Sequence, residues 1–387
     1  MTNKHILIAT ELEYPHQGGV SSHIELLIKG LKIVDNVTVS VISRNDIPKF
    51  IERLCFLFSG FISLFNKGCG YLLYHKLIGF ILRLKIEAFI YKHDVDILHI
   101  HSTNFAFSKK FKIPSVLTCH ADITNEMLGQ KKIKTDSFAE RSFYKMEKSC
   151  YINNNCIIAV DERLKKHVLS VAENANVISM INFIDPYEFD NIFLSNEDRV
   201  KFNFPIDKKI LLCPRRMVVK NGVIYAVKIL ESLSDNFHLV IVGGGEEHNS
   251  ITNYAKDNNL TNRITIIPGV ERSEMAKFYN SSDFILVPSI TVNNLQEATS
   301  ISALEGMACS KVVVASDIGG LTLLIDDSVD GILFEEHNFK LAAQKIVALS
   351  ENDYKKIGFN AREKVINKFG YINACNNILN IYKKISE

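Results

Sequence analysis

Three runs follow one another in the second half of the chain: Phe284-Ile285-Leu286-Val287, then Gln296-Glu297-Ala298-Thr299-Ser300-Ile301-Ser302-Ala303-Leu304-Glu305-Gly306-Met307-Ala308-Cys309, then Lys311-Val312-Val313-Val314-Ala315-Ser316. The outer two are short apolar runs without alternation, the pattern of strands buried on both faces. The middle one opens as a loop and continues as a helix. A strand, a loop, a helix and the next strand make one repeat of a parallel α/β sheet, with the loop at the strand's carboxyl end. Thr299 or Ser300 is placed to cap the helix, leaving its first amides able to face an anion. Glu297 stands just before the helix and Glu305 about a turn and a half inside it, ~7–9 Å along the axis. A diphosphate flanked by a sugar on each side fits that spacing. So does a capped amphipathic core helix with solvated glutamates.

The same alternation extends outward. Residues 5–9, 37–42, 97–100, 115–118 and 156–160 read as strands in the first half, with helices between them. Residues 210–213, 238–242, 264–267, 284–287, 312–315 and 332–334 do so in the second. The expected architecture is α/β, two doubly wound Rossmann-like domains with ligands at the carboxyl ends of the strands. The first domain spans 1–185. A linker follows over 186–206, in the polar stretch 182–205 that contains Asp185-Pro186. The second domain covers 207–368, and 369–387 ends the chain in a helix, Tyr371–Ser386.

At 387 residues the chain is long enough for two hydrophobic cores. A formal net charge of +2 gives no global field for nucleic acid. The eight cysteines include no CxxC pair and no zinc spacing, and read as buried reduced thiols in a cytoplasmic protein. The apolar stretch near Met1 is too short for a signal peptide and reads as the first strand. Charge is uneven: an insertion at about 49–92 carries Lys49, Arg53, Lys67, Lys76, Arg83, Lys85 and Lys92 against Glu52 and Glu87. Its two apolar runs, 54–65 and 71–82, are too short to span a bilayer, which takes about 20 residues. They fit either helices lying in an anionic membrane surface or a buried helix pair.

Several residues carry chemistry. Arg215 and Lys220 sit in one strand-to-helix loop and together suit a diphosphate, a planar fork beside a point charge; solvated loop cations are the plainer reading. Gly243-Gly244-Gly245 follows a strand but lacks the GxGxxG fingerprint, although glycine there permits close backbone approach. Gly18-Gly19-Val20 precedes a helix carrying His23, as a ligand-approach point or simply a tight turn. His99, His101 and His120 gather at strand ends. No neighbouring carboxylate or thiol completes a metal set around them. There is no GxSxG elbow, P-loop or HExxH.

In order and spacing these residues resemble the retaining glycosyltransferases of family 4, with the GT-B fold. The resemblance rests on the Gly18-Gly19 turn with His23, Asp96-Ile97-Leu98-His99-Ile100-His101, Thr118-Cys119-His120 and Asn182-Phe183-Ile184-Asp185. It also uses Arg215 with Lys220-Asn221-Gly222, and Glu297 to Glu305 followed by Val314-Ala315-Ser316-Asp317-Ile318-Gly319-Gly320. It covers nearly the whole chain. It implies two domains facing across a cleft, with the last helix crossing back to the first. It also implies that Arg215 and Lys220 neutralise the leaving diphosphate, that Glu297 and His120 contact the donor sugar, and that Glu305 binds the ribose. Ala298, Thr299, Ser300, Gly19 and Gly243 would line the donor. His23, Arg53, Lys67, Lys76, Arg83 and Lys85 would form the acceptor and membrane region.

The expected function is transfer of a hexose or N-acetylhexosamine from a nucleotide sugar, UDP favoured, to a glycan or lipid-linked acceptor in cell-surface polysaccharide or glycolipid synthesis. No metal, cofactor or nucleic acid is expected. The expected location is cytoplasmic, peripheral on the inner face of the cell membrane. A non-hydrolysing nucleotide-sugar epimerase of the same fold and a non-catalytic glycan-binding scaffold are the alternatives. Ala298-Thr299-Ser300 departs from the commoner Gly-Phe-Gly, and Ser310 stands where glycine is usual.

Overall fold

The computed structural model describes residues 4–16, 18–35, 37–103, 109–190, 196–202, 204–293 and 296–387. Gln17, and residues 191–195 and 203 of the expected linker, lie outside them. The chain divides into two compact units, Met1–Asn182 with Tyr371–Glu387, and Phe183–Gly370.

The first unit is built on β1 (His5–Ala9), β2 (Thr38–Ile42), β3 (Ile97–Ile100), β4 (Ser115–Cys119), β5 (Cys156–Ala159) and β6 (Val177–Ser179). The strands are parallel, in the order β2-β1-β3-β4-β5-β6. The second unit holds β7 (Lys209–Cys213), β8 (Phe237–Val242), β9 (Ile264–Ile267), β10 (Phe284–Val287), β11 (Val312–Ser316) and β12 (Ile332–Phe334). Their order is β12-β11-β10-β7-β8-β9, again parallel. The direction of winding reverses between β1 and β3 and between β7 and β10. Such reversals open a crevice beyond the carboxyl ends of the strands, where α/β sheets take their ligands. β4, β8 and β11 are buried throughout, as unbroken apolar runs with helices on both faces require.

Two features differ from the sequence reading. β6 goes unread because it is a three-residue, half-buried edge strand too short to show a pattern. A helix, Asn196–Lys201, lies within the stretch read as linker.

The Tyr371–Ser386 helix packs in the first unit against the Gly19–Val34 helix. Gly30 makes this crossing possible, since a Cβ there would stand 2.3 Å from Cys375 Sγ. Tyr382 is fully buried, with its hydroxyl 2.6 Å from His99 Nδ1.

The basic insertion forms two helices, Lys49–Phe65 and Lys67–Lys92, and burial differs between them. Ile78, Leu82 and Ile86 of the second helix enter the core of the first unit. The first helix turns Cys55 and Ser59 inward, and Ser59 and Ser63 meet Gly70, where a Cβ would clash with Ser63 Oγ and the Ser59 carbonyl. Its other faces stay open: Phe58 is 66% exposed, Phe61 61% and Leu64 80%. Among the described residues no helix is long and apolar enough to cross a membrane.

Candidate active site

In the second unit the site grows from the β7/β10 reversal. Arg215 follows β7 and Ser289 follows β10, so strand pairing alone brings both to one edge. Arg215 is buried, and its guanidinium ties together four segments. It donates from Nη1 to Ser300 Oγ at 2.7 Å and Ser302 Oγ at 3.3 Å. From Nη2 it reaches Asn221 Oδ1 at 2.9 Å, Ser289 Oγ at 3.0 Å and Glu297 Oε2 at 2.8 Å. Ser289 donates in turn to Glu297 Oε2 at 3.2 Å. Burial works against charge on Glu297, but Arg215 and Lys220 beside it, with the bonds from Arg215 and Ser289, hold its carboxyl below the usual range. Glu297 is therefore an ionised, fixed acceptor, and the solvated-glutamate alternative does not hold. Among the described residues Arg215 Nε is buried without a partner.

Ser300 caps the Ile301–Ala308 helix, accepting from the Ala303 amide at 3.4 Å. Thr299 is also buried, and Ala298 half-buried. The approach to the helix is shaped by Gly319-Gly320. Gly320 N–H donates to the Glu297 carbonyl at 2.9 Å, and a Cβ on Gly320 would stand 1.9 Å from the Ala298 carbonyl. Gly319, at φ 52°, makes the same close approach to Glu297.

Lys220 lies on the next loop. That loop is pinned by the Ile290 amide donating to the Lys220 carbonyl at 2.9 Å, and by Gly222 at φ 61°, where a side chain would strike the Pro288 carbonyl. The Lys220 side chain is exposed, and among the described residues no hydrogen bond or ion pair engages its ammonium. The loop cations thus differ in kind: Arg215 is an internal organiser, Lys220 an open charge. Gly243, at φ 140°, gives close approach to the Arg215 carbonyl, 2.4 Å from a would-be Cβ, so its glycine character is explained by protein backbone.

Glu305 lies buried further along the helix. It accepts from the Tyr279 hydroxyl at 2.7 Å and Arg272 Nη1 at 3.3 Å. Burial pushes its carboxyl above the usual range, against the opposing pull of Arg272 and Tyr279. Ser289, Ser302, Tyr279 and Arg272 were not read from the sequence. Ser289 had a signal, a small hydroxyl residue at a strand's carboxyl end; the others sit at ordinary helix positions.

In the first unit, four histidines pack together. His99 uses both ring nitrogens, on Tyr382 and on Thr118 Oγ1 at 2.8 Å. Its ring stacks on His101 at 4.5 Å, and His101 Nδ1 lies 3.0 Å from His120 Nε2. Burial lowers His23 to about 4 and His99 to about 3, and holds His101 and His120 well below the usual range, so all four are neutral near pH 7. His120 is the most exposed of them and the one open to a ligand.

His23, expected in the acceptor and membrane region, is buried here, with its ring edge-on to His120 at 4.9 Å and Nδ1 3.3 Å from Asn182 Oδ1. Its burial removes it from the membrane part of that expectation. His23, His101 and His120 offer ring nitrogens within 4.8 Å of one another, as do the ligand atoms of Asp122, Glu147 and His167. The first group brings no carboxylate. The second is engaged in capping: Asp122 caps the Ile123–Gly129 helix and Glu147 accepts from the Ile123 amide. Gly19 opens its helix, and among the described residues nothing lies within 4 Å of a would-be Cβ there.

Arg83 is a second correction to the membrane set. It is buried, bonded to Glu87 Oε1 at 2.9 Å and the Lys109 carbonyl at 2.8 Å, with its guanidinium over the Phe111 ring. Arg53 and Lys67 are exposed, and Lys76 and Lys85 partly so.

Two parallel six-stranded sheets wound in these orders, with helices on both faces, are the Rossmann-like units of the GT-B fold. The Glycosyltransferase Family 4 profile matches residues 17–186, and the Glycosyl transferases group 1 profile matches residues 195–368. The chain belongs to the family-4 type of glycosyltransferase. It is 24% identical to an uncharacterized glycosyltransferase of Methanocaldococcus jannaschii, over 98% of this chain and 99% of that one. Sucrose-phosphate synthase from Thermosynechococcus elongatus shares the fold at a TM-score of 0.73 and 18% identity, over 99% of each chain. Anabaena HepE in complex with UDP and glucose does so at 0.70 and 14% identity, over 99% of this chain and 100% of that one.

Proposed function

We propose that the protein transfers a hexose or N-acetylhexosamine from a nucleotide sugar, UDP sugars favoured, to a glycan or lipid-linked acceptor with retention of anomeric configuration. The observation that carries this reading is the Arg215–Glu297–Ser300 centre beside the exposed ammonium of Lys220. Glu297 takes hydroxyls of the donor sugar, Glu305 the ribose, and the backbone of Ala298, Thr299 and Ser300 lies along the phosphates. HepE, whose complex contains UDP and glucose, lends support to a uridine donor.

In the reaction the C1–O bond to the diphosphate breaks, with its electron pair leaving on the phosphate oxygen. The acceptor hydroxyl attacks C1 from the same face and gives its proton to that oxygen. Lys220 and Arg215 stabilise the departing charge, the largest lever such a site has, and stand in for a metal ion. The exposed Lys49–Phe65 helix rests on the inner face of the cell membrane, where polysaccharide and glycolipid precursors are built.

A panel of UDP-, GDP- and ADP-sugars, scored by calorimetry and by turnover on lipid-linked acceptors, tests the reading. UDP-sugar binding and a product with the donor's anomeric configuration by NMR are expected. Absence of any nucleotide binding, or an inverted product, overturns it.

A further inference from the structure

The Lys49–Phe65 helix carries more than an apolar face. Its N-terminal turns border a cavity of about 350 Å³ lined by Arg44, Lys49, Glu52, Arg53, Phe56, Leu57 and Tyr74. Glu52 is the one acid in this lining, and Arg44 neutralises it in a 2.5 Å ion pair while lying over the Tyr74 ring. Among the described residues neither Lys49 nor Arg53 has an acidic partner. Three cations against one acid leave two positive charges uncompensated. Lys49 and Arg53 stand one helical turn apart on the same side, and Phe56 and Leu57 continue that side by a further turn. Phe56 is 68% exposed and Leu57 65%. The wall is therefore split, with cations at one end and open apolar side chains at the other. An amphiphile with a phosphate head and a hydrocarbon tail has that polarity, and a free anion would leave the apolar end unused.

We propose that Lys49 and Arg53 form a headgroup subsite for the phosphate of an anionic membrane lipid, whose acyl chain runs along Phe56 and Leu57. This rests on the membrane contact proposed above and deepens it: the helix recognises a charged headgroup in addition to partitioning by its apolar face. The protein would accordingly prefer anionic bilayers over zwitterionic ones of the same thickness.

Co-sedimentation of the full chain with phosphatidylglycerol-containing and pure phosphatidylcholine vesicles provides the test. Wild type is expected on both, more strongly on the anionic vesicles. Lys49→Gln/Arg53→Gln should lose about 30-fold on anionic vesicles, from about 1 kcal/mol per basic residue, with little change on phosphatidylcholine. Phe58→Ser/Phe61→Ser, changed away from the cavity, should weaken binding to both. Both helix positions are exposed, and circular dichroism of each variant checks that the fold is kept. Unchanged anionic binding by Lys49→Gln/Arg53→Gln, alongside release of Phe58→Ser/Phe61→Ser, overturns the headgroup subsite and leaves the membrane contact standing. No vesicle binding by wild type overturns both. Displacement by inorganic phosphate beyond that by chloride at equal ionic strength assigns the cations to a free anion and overturns the lipid source.

Discussion

At the residue scale, the two cations of one loop do different work. Arg215 is buried and braces Glu297, Ser289, Asn221 and the Ser300 cap. Removing one partner of such a pair strands the other's charge, at a cost of about 3–5 kcal/mol. Arg215→Ala should therefore lower the urea midpoint of the protein as well as its turnover. Lys220 is exposed and its ammonium makes no hydrogen bond or ion pair among the described residues, so Lys220→Ala should lower the midpoint far less than Arg215→Ala while cutting turnover about 10²–10³-fold. A matching loss of stability in both variants would mean that Lys220 is also structural. From the sequence alone the two looked equivalent, because burial is decided by which neighbour chains arrive, and Ser289 and Ser300 arrive from distant segments.

The histidines of the first unit give a prediction in pH. Their folded pKa values are depressed, His23 to about 4 and His99 to about 3, against an ordinary value of 6.5. The unfolded chain therefore takes up protons first, and the stabilisation from neutral rings is whole above 6.5 and is lost as pH falls from there towards 4. Each such ring contributes about 1.4 kcal/mol per pH unit of that interval. The urea midpoint should fall steeply below pH 6.5, and a flat profile down to about pH 5 would show that the cluster is already hydrated or charged.

At the element scale, the glycines show how helix and loop fix the site. Gly320 touches no ligand group in the proposed scheme, yet its missing side chain lets the Glu297–Ala298 backbone pass 1.9 Å from where a Cβ would be. Gly320→Ala should push that segment outward and abolish nucleotide binding while the Arg215 and Lys220 side chains remain. Calorimetry reads the outcome, and wild-type affinity would show that the segment has room to move.

Strand cores were legible because short apolar runs without alternation, spaced by helices, mark strands buried on both faces. β9, β10 and β12 fall at the residues read from sequence. The helical insertion was legible as two apolar helical runs with basic flanks, and which of them is buried was not. Which of its helices faces out depends on Gly70 fitting Ser59 and Ser63, a contact between surfaces that periodicity does not encode.

At the scale of the whole molecule, two sheets of the same winding each place a reversal beside a residue singled out in sequence: His101 follows β3 and Arg215 follows β7. The position of a ligand crevice was thus implied by strand order. The partners within it were less legible. Tyr279 and Arg272 reach Glu305 from a neighbouring helix, and Asn221 reaches Arg215 from its own loop, through three-dimensional neighbourhood alone. The central claim is that the Glu297–Glu305 segment, with Arg215 and Lys220, binds a nucleoside diphosphate. Isothermal titration of UDP into wild type and Lys220→Ala tests it most directly. The account predicts binding by wild type and at least about tenfold weaker binding by the variant, a difference of about 1.4 kcal/mol for one charged contact. Equal affinity in the two proteins, or no binding of UDP, GDP or ADP by wild type, would contradict it.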